Sequence, residues 1–399
     1  MPNLLVVSRY SDEHFESADY VFVHHQIAGL KRFFDEITVV APVPWFPTWL
    51  QPMGRVWEKL RLRMLSDDYE YDNVRVRFAP FAPWVGRIPG SDRRRGILPA
   101  IRRTIRRHDV KFDLVHSHMT LQYGWHGAVV AQEYGVPSVL TVHDNHDGLI
   151  PVLRARRWDA IAALCENDAL IRVNPNDIDE IQEISGTDRP IHYIPNGFDF
   201  DSVSRRSRRE ERQQLGLSTD RKIFVSVARW VERKDPLILL ESLSRIEADA
   251  RPLLCMLGED SSGGRIVSRI AELGLEGDVD LLGQRSPEIV LQYMRASDAV
   301  VLYSHSEGNP TVMFEALGCG RPYIGSDVGG VNAVIVDERL GLYGPPKDPA
   351  RLTELMQQAM HTEWDEDFIR DHAQRYTWEK IASRIHDEVF APLLAGGSR

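Results

Sequence analysis

Apolar and polar positions alternate along the chain in two distinct rhythms. Short runs rich in β-branched residues occur at Asn3–Ser8, Ile37–Ala41, Asp113–His116 and Ser138–His143, each bounded by turn formers. Between them, stretches near 18–34 and 122–134 place apolar side chains at helical spacing. The second half repeats the scheme, with strands predicted at Ile223–Ala228, Leu253–Gly258, Val279–Gly283, Ala299–Tyr303 and Tyr323–Ser326. Its helices are predicted near 235–248, 264–273, 287–296 and 311–319. Strands that are apolar almost throughout and alternate with helices predict parallel sheets covered on both faces. The fold class is therefore α/β, built as two Rossmann-like doubly wound domains. The rhythm breaks after Ile194-Pro195-Asn196-Gly197, where a polar stretch, Ser202–Gln214, precedes the next strand. That seam divides a domain 1–195 from a domain 196–377. Ligands of such folds lie at the carboxyl ends of the strands, here in the cleft between two halves.

Length agrees, because 399 residues exceed what one ordinary core holds. A hydrophobic share of 43% and a charged share of 27% exclude a disordered or fibrous chain. No apolar run approaches the roughly 20 residues that cross a bilayer, and the first residues read as a strand and not as a signal peptide. Cys165, Cys255 and Cys319 are too scattered for a disulfide framework or a metal cluster, and they suit a reducing cytoplasm. The net charge of −10 argues against a nucleic-acid binder. Residues 87–111 run against that balance, with nine Lys/Arg facing only Asp92 and Asp109. Within this island Ile97, Ile101 and Ile105 share a helical face, and Arg102, Arg103, Arg106 and Arg107 lie off it. Upstream, Arg55, Lys59, Arg61 and Arg63 interleave with Val56, Trp57, Leu60 and Leu62. Two readings stand: a basic, partly apolar surface for an anionic membrane, or a helix packed on the sheet with a solvated basic face. Pro44–Pro47 either lines one side of the cleft or caps the sheet.

The densest chemical signal is Glu307-Gly-Asn-Pro-Thr-Val-Met-Phe-Glu315, running from a strand into a helix. Pro310 suits the first helical turn, and the amides of Thr311 and Val312 then offer a phosphate site at the helix N-terminus. Glu307 can reach hydroxyls beyond that phosphate, and Glu315 can accept both hydroxyls of a ribose. Arg229 and Lys234 follow a strand and are placed to neutralise a diphosphate. Gly283, Gln284 and Arg285 offer backbone groups for a nucleobase edge, and the glycines of 318–322 and 326–330 permit sharp turns. Of the histidines, His24 and His25 read as helix surface and core, not metal ligands. His116 and His118 are expected to face opposite ways along their strand, with His118 nearer its carboxyl end. Cys319 reads as a small buried residue of the glycine-rich turn.

Taken together, these stretches resemble the retaining glycosyltransferases of family 4, which have the GT-B fold. The resemblance rests on Ile194-Pro-Asn-Gly-Phe-Asp199, Ala228-Arg229 with Lys234, Leu282-Gly-Gln284, the Glu307 to Glu315 run, Ala316 to Pro322, Gly329-Gly330 and Gly341 to Asp348. In the first half Phe22-Val-His-His-Gln26, Asp113-Leu-Val-His-Ser-His118 and Pro137 to His143 fit. The resemblance implies that Arg229 and Lys234 bind the diphosphate and that Glu315 holds the ribose. It implies that Glu307, with the amides of Gly308 and Asn309, holds the donor sugar, and that His118 lies near the transferred sugar. It further implies metal-independent front-face transfer with retention, no cofactor, and a terminal segment 378–399 that packs back on the first domain. The implied partners are a nucleoside-diphosphate sugar and a glycan or lipid-linked acceptor, with possible attachment to the inner face of the membrane. The chain departs from the family at Ser8-Arg-Tyr-Ser-Asp12 and Tyr20, where relatives often carry a glycine-rich loop, and at Ala228, Asp235 and Ala333. Competing readings are a non-hydrolysing nucleotide-sugar epimerase and a non-catalytic nucleotide-sugar-binding regulator. A dinucleotide-dependent oxidoreductase lacks its glycine fingerprint after the first strand.

Overall fold

The structure, a computed structural model, describes residues 1–10, 21–45, 68–82, 94–203 and 206–396. Two sheets divide the chain. The first contains β1 (Asn3–Val7), β2 (Glu36–Pro44), β3 (Tyr69–Tyr71), β4 (Val74–Phe81), β5 (Leu114–His118), β6 (Ser138–Val142), β7 (Ala169–Arg172) and β8 (Ile191–Tyr193). The second contains β9 (Ile223–Val227), β10 (Leu253–Leu257), β11 (Val279–Gly283), β12 (Ala299–Leu302), β13 (Tyr323–Ser326) and β14 (Gly341–Gly344). Their orders are β3-β4-β2-β1-β5-β6-β7-β8 and β11-β10-β9-β12-β13-β14. Every pairing is parallel except the β3–β4 hairpin.

The predicted strands are all present, with ends shifted by a few residues. β3, β4, β7, β8 and β14 escape a reading based on apolar runs. They are short, or carry arginines as in Val74-Arg-Val-Arg77, or are half glycine as in Gly341-Leu-Tyr-Gly344. In the central strands, near-complete burial of β1, β5, β6 and β12 explains their unbroken apolar character.

The second sheet and its helices share one hydrophobic core. The first lobe has separate apolar clusters on the two faces of its sheet. One is closed by the helix Val21–Leu30 and the chain's last helices, which contribute Trp378, Ile381, Ala382, Ile385, Val389 and Phe390. The other face is covered by the helix Arg94–Arg107 through Leu98, Ile101 and Ile105, and by the helix Trp125–Tyr134. The chain passes between the lobes twice, side by side. Phe198 donates its amide to the Tyr376 carbonyl at 3.0 Å, and Trp378 donates to the Phe198 carbonyl at 3.1 Å. The Phe198 ring presses on Gly318, where an added Cβ would lie 2.1 Å from a ring carbon. Gly318→Ala should therefore force the Phe198 ring out of place and cost about 1–3 kcal/mol of stability, read as a lower midpoint in thermal or urea unfolding.

Candidate functional site

Each sheet is extended in one direction and then in the other. The reversal falls between β1 and β5 in the first sheet and between β9 and β12 in the second. At such a switch point the loops leaving neighbouring strands part and open a crevice. The loop after β9 carries Arg229, exposed, and ends in a one-turn helix, Glu232–Lys234. The loop after β12 carries Ser304 to Pro310. The two loops are tied together by charge. Lys234 Nζ donates to Glu307 Oε1 at 2.6 Å, and Arg233 Nη1 donates to Glu307 Oε2 at 3.0 Å and to the Ser306 carbonyl at 2.5 Å. Glu307 is only 6% exposed. Burial by itself would raise its carboxyl, but Lys234 and Arg233 outweigh burial and hold it below the usual carboxylate range.

Glu315 lies on the helix Thr311–Gly318, half-buried, and among the described residues its carboxylate has no hydrogen-bond or ion-pair partner. Burial pushes this carboxyl up to about 7. Pro310 does not join the helix as expected. It stands one residue before it, at φ −71° and ψ 108°, leaving Thr311 as the first helical residue. Asn309 accepts from the Asn196 amide at 2.9 Å and donates to the Gly329 carbonyl at 3.0 Å, which fixes the turn into the helix. Gly283 ends the edge strand β11, and Gln284 and Arg285 follow it, all three exposed; β10 separates that strand from β9. They are the donor-side residues lying farthest from the Lys234–Glu307 contact in strand order.

Across the crevice, β5 ends in His118, fully buried. His118 Nδ1 and His143 Nε2 lie 3.1 Å apart and share a hydrogen bond. The rings of His116 and His118 are 4.2 Å apart, so the two side chains occupy one face and not opposite faces. Strand side chains repeat every two residues, and positions 116 and 118 are therefore in phase. Burial lowers all three imidazoles, His116 and His143 to about 3 and His118 well below its ordinary value, and neighbouring groups add to it at His118 (His116 and His143) and at His143 (His116 and Arg172). They are neutral at physiological pH. Met119, the next residue, is held at φ +71° and ψ 112°, outside the regions that side-chain-bearing residues prefer.

Residues the sequence pattern did not flag hold this arrangement. Arg172, fully buried, pairs with Asp177 at 2.6 and 2.8 Å and donates to the carbonyls of Val142 and Asp144 at 2.9 and 2.7 Å. It braces from behind the loop bearing His143. Asp144 in turn accepts the Thr120 amide at 2.9 Å. The only textual sign was an arginine closing an apolar strand with an aspartate five residues on. The lobes meet at the crevice itself: Asn145 donates to Ser306 Oγ at 3.1 Å, and Asn176 to Asn332 at 3.0 Å. Gly308 lies so close to the His143 carbonyl that a Cβ would sit 2.5 Å from its oxygen.

The last turn of the basic helix is not part of this crevice. The helix leads through residues 108–113 into the start of β5, so its last turn points to the opposite end of the sheet. Arg103, Arg106 and Arg107 are exposed, and Arg102 pairs with Glu133, Nε to Oε2 at 3.0 Å. The run Arg55, Lys59, Arg61, Arg63 and residues 87–93 lie outside the described residues, as do Tyr20, Ser11, Asp12, Phe46 and Pro47. His24 bonds the Tyr10 hydroxyl at 2.6 Å and His25 stacks on Trp378. Among the described residues, no group of three or more His, Cys, Asp or Glu is placed to hold a metal ion, and no helix is long and apolar enough to cross a membrane.

Two family models match the chain, one described as Glycosyltransferase Family 4 over residues 21–202 and one as Glycosyl transferases group 1 over residues 207–376. A Bacillus subtilis protein named as a teichuronic acid biosynthesis glycosyltransferase, TuaC, is 26% identical over 348 residues, 86% of this chain and 85% of that protein. The sucrose-phosphate synthase of Thermosynechococcus elongatus superposes over 100% of both chains with a TM-score of 0.76 at 21% identity. Anabaena HepE, solved in complex with UDP, covers 98% of this chain and 100% of its own, with a TM-score of 0.71 at 19% identity.

Glu315 yields a prediction that needs no substrate. Its carboxyl is raised in the folded state, so the native protein binds more protons than the unfolded chain between the ordinary glutamate value and about 7. Across that window its contribution to stability falls as pH rises. Glu315→Gln should flatten this part of the stability–pH profile and exceed the wild type in melting temperature at pH 8. Superimposable wild-type and variant profiles from pH 5 to 8 would contradict it.

Proposed function

The chain belongs to glycosyltransferase family 4, with the GT-B fold, and on that premise we propose that it moves a sugar from a nucleoside-diphosphate donor to a glycan or lipid-linked acceptor with retention of configuration. The observation that carries this reading is the buried Glu307 carboxylate gripped by Lys234 and Arg233 at the switch point of the second sheet. Such a site holds positive charge ready for a diphosphate and a carboxylate ready for sugar hydroxyls. When a donor enters, Lys234 and Arg229 take the diphosphate, and Glu307, released from Lys234, accepts from the sugar. The unpartnered Glu315 carboxylate receives the ribose hydroxyls, which replace the water it has lost. His118, neutral, faces the sugar from the other lobe.

In the reaction the bond from the anomeric carbon to the diphosphate oxygen breaks, and the acceptor oxygen bonds to the same face of that carbon. The acceptor's hydroxyl proton passes to a donor phosphate oxygen. The chain's own contribution is positioning and stabilisation of the departing charge. HepE was solved with UDP, which makes uridine donors the first to try here. The TuaC similarity supports a cell-surface polymer as the acceptor class. The exposed Arg103, Arg106 and Arg107 are the residues that would hold an anionic membrane carrying it.

Sugar nucleotides based on uridine, guanosine, adenosine and thymidine should be incubated with extracted membrane lipid, and nucleotide release and product anomer measured. Lys234→Ala and Glu307→Ala are each expected to lower turnover on the order of 100-fold. Equal release by wild type and Glu307→Ala would refute the assignment, and conversion of the sugar nucleotide without acceptor would identify an epimerase instead. Replacing Arg103, Arg106 and Arg107 together by Ser should reduce flotation with anionic vesicles while leaving nucleotide binding intact; unchanged flotation would remove the membrane contact.

A further inference from the structure

Asp235 joins the loop after β9 to the helix Pro236–Ser244, and it does so at φ +42° and ψ +62°. That left-handed conformation is unfavourable for any residue with a Cβ. Pro236 makes it harder to avoid, because a residue preceding proline is kept out of the right-handed helical region. The one-turn helix carrying Lys234 therefore cannot run straight on into the next helix. Asp235 is kept in place by its side chain. Its carboxylate accepts from the Ile238 amide at 3.4 Å and is hydrogen-bonded by His305 Nε2. His305 also donates its backbone amide to the Arg233 carbonyl at 2.9 Å.

Residues 233–235 and 305–307 are thus joined rung by rung. Arg233 meets His305, Ser306 and Glu307, Lys234 meets Glu307, and Asp235 meets His305. We propose that the His305–Asp235 pair is a positioning clasp for the donor site. It touches no ligand itself, and it fixes the strained turn that aims Lys234 at Glu307. The proposal rests on the reading of Lys234 and Glu307 as the diphosphate and sugar site. Lysine carries a point charge on a flexible stem, so its direction is only as well defined as the backbone that bears it. Without His305, Asp235 loses the partner that offsets its strained conformation, and Lys234 must be re-ordered each time a donor binds. Glycine reaches the same dihedral angles without strain. Asp235→Gly should therefore make His305 largely dispensable, a coupling that a general structural role for His305 would not produce.

The test is a double-mutant cycle on the full chain with His305→Ala, Asp235→Gly and the two combined, plus His305→Gln and Lys234→Ala. The probe is whichever of UDP, GDP, ADP, dTDP and CDP raises the wild-type melting temperature most, with affinity measured by calorimetry. Donor KM and kcat are measured with the matching sugar nucleotide. His305→Ala should weaken nucleotide binding roughly tenfold, the value of one charge-assisted hydrogen bond, with donor KM rising more than kcat falls. His305→Gln, which keeps a donor, should recover part of the loss. The double variant should lose no more than Asp235→Gly alone. Wild-type affinity in His305→Ala, or a double loss equal to the product of the single losses, overturns the clasp. If His305→Ala does not fold, comparison of the double variant with Asp235→Gly still decides. Loss of binding in Lys234→Ala alongside a silent His305→Ala rejects the clasp and keeps the donor site. A silent Lys234→Ala, or a wild type that binds none of the nucleotides, rejects the donor site and the clasp with it.

Discussion

A carboxylate withdrawn from water is the constraint around which the second lobe is arranged. Leaving Glu307 buried and unpaired would cost several kcal/mol, so two cations must reach it from another part of the chain. They can do so only because β9 and β12 are neighbours, with Phe224 opposite Ala299 and Val225 opposite Val300. The pairing brings the loop after β9 against the loop after β12 at the place where the sheet reverses its order. Sheet topology and charge compensation are thus one arrangement seen at two scales.

The first lobe uses the opposite electrostatic device. The described wall of its crevice holds imidazoles too deeply buried to be charged, and the buried Arg172 behind them is spent on Asp177 and two carbonyls. Among the described residues, the second lobe therefore brings paired charges to the crevice and the first lobe neutral rings. The lobes touch there mainly through amide side chains and the close approach of Gly308 to His143. Each such hydrogen bond contributes only about 0.5–1.5 kcal/mol net. Contacts of that strength permit the lobes to part and close again as ligands come and go.

Much of this was legible in the chain's pattern. Alternating apolar runs and helical stretches predicted two parallel α/β layers, because strands buried on both faces have no polar positions to break the run. The same logic fails where a strand is short or exposed, as at Ile191–Tyr193, or carries an arginine that pairs beneath the surface, as at Arg172. The Lys234 and Glu307 signals were readable, but their contact was not, since 73 residues separate them. Arg233 went unassigned although it reaches the same carboxylate. The in-phase placement of His116 and His118 follows from strand geometry, which sets residues two apart on one face and overrides the expectation that they oppose each other. A positive φ at Asp235 leaves no trace in composition, and the partner that makes it tolerable, His305, is 70 residues away. Likewise Arg102 looked like one more free cation of a basic helix, and only folding brings it to Glu133.

The last helices carry a consequence for how the molecule is made. Trp378, Ile381, Ile385 and Phe390 complete the apolar face beneath Val21–Leu30, so the lobe synthesised first remains unfinished until the ribosome has passed residue 390. The second lobe is drawn from one continuous stretch and can consolidate without waiting. During translation the amino-terminal sheet must therefore stand with one greasy flank open to solvent, and it is this half that a chaperone would have to shield.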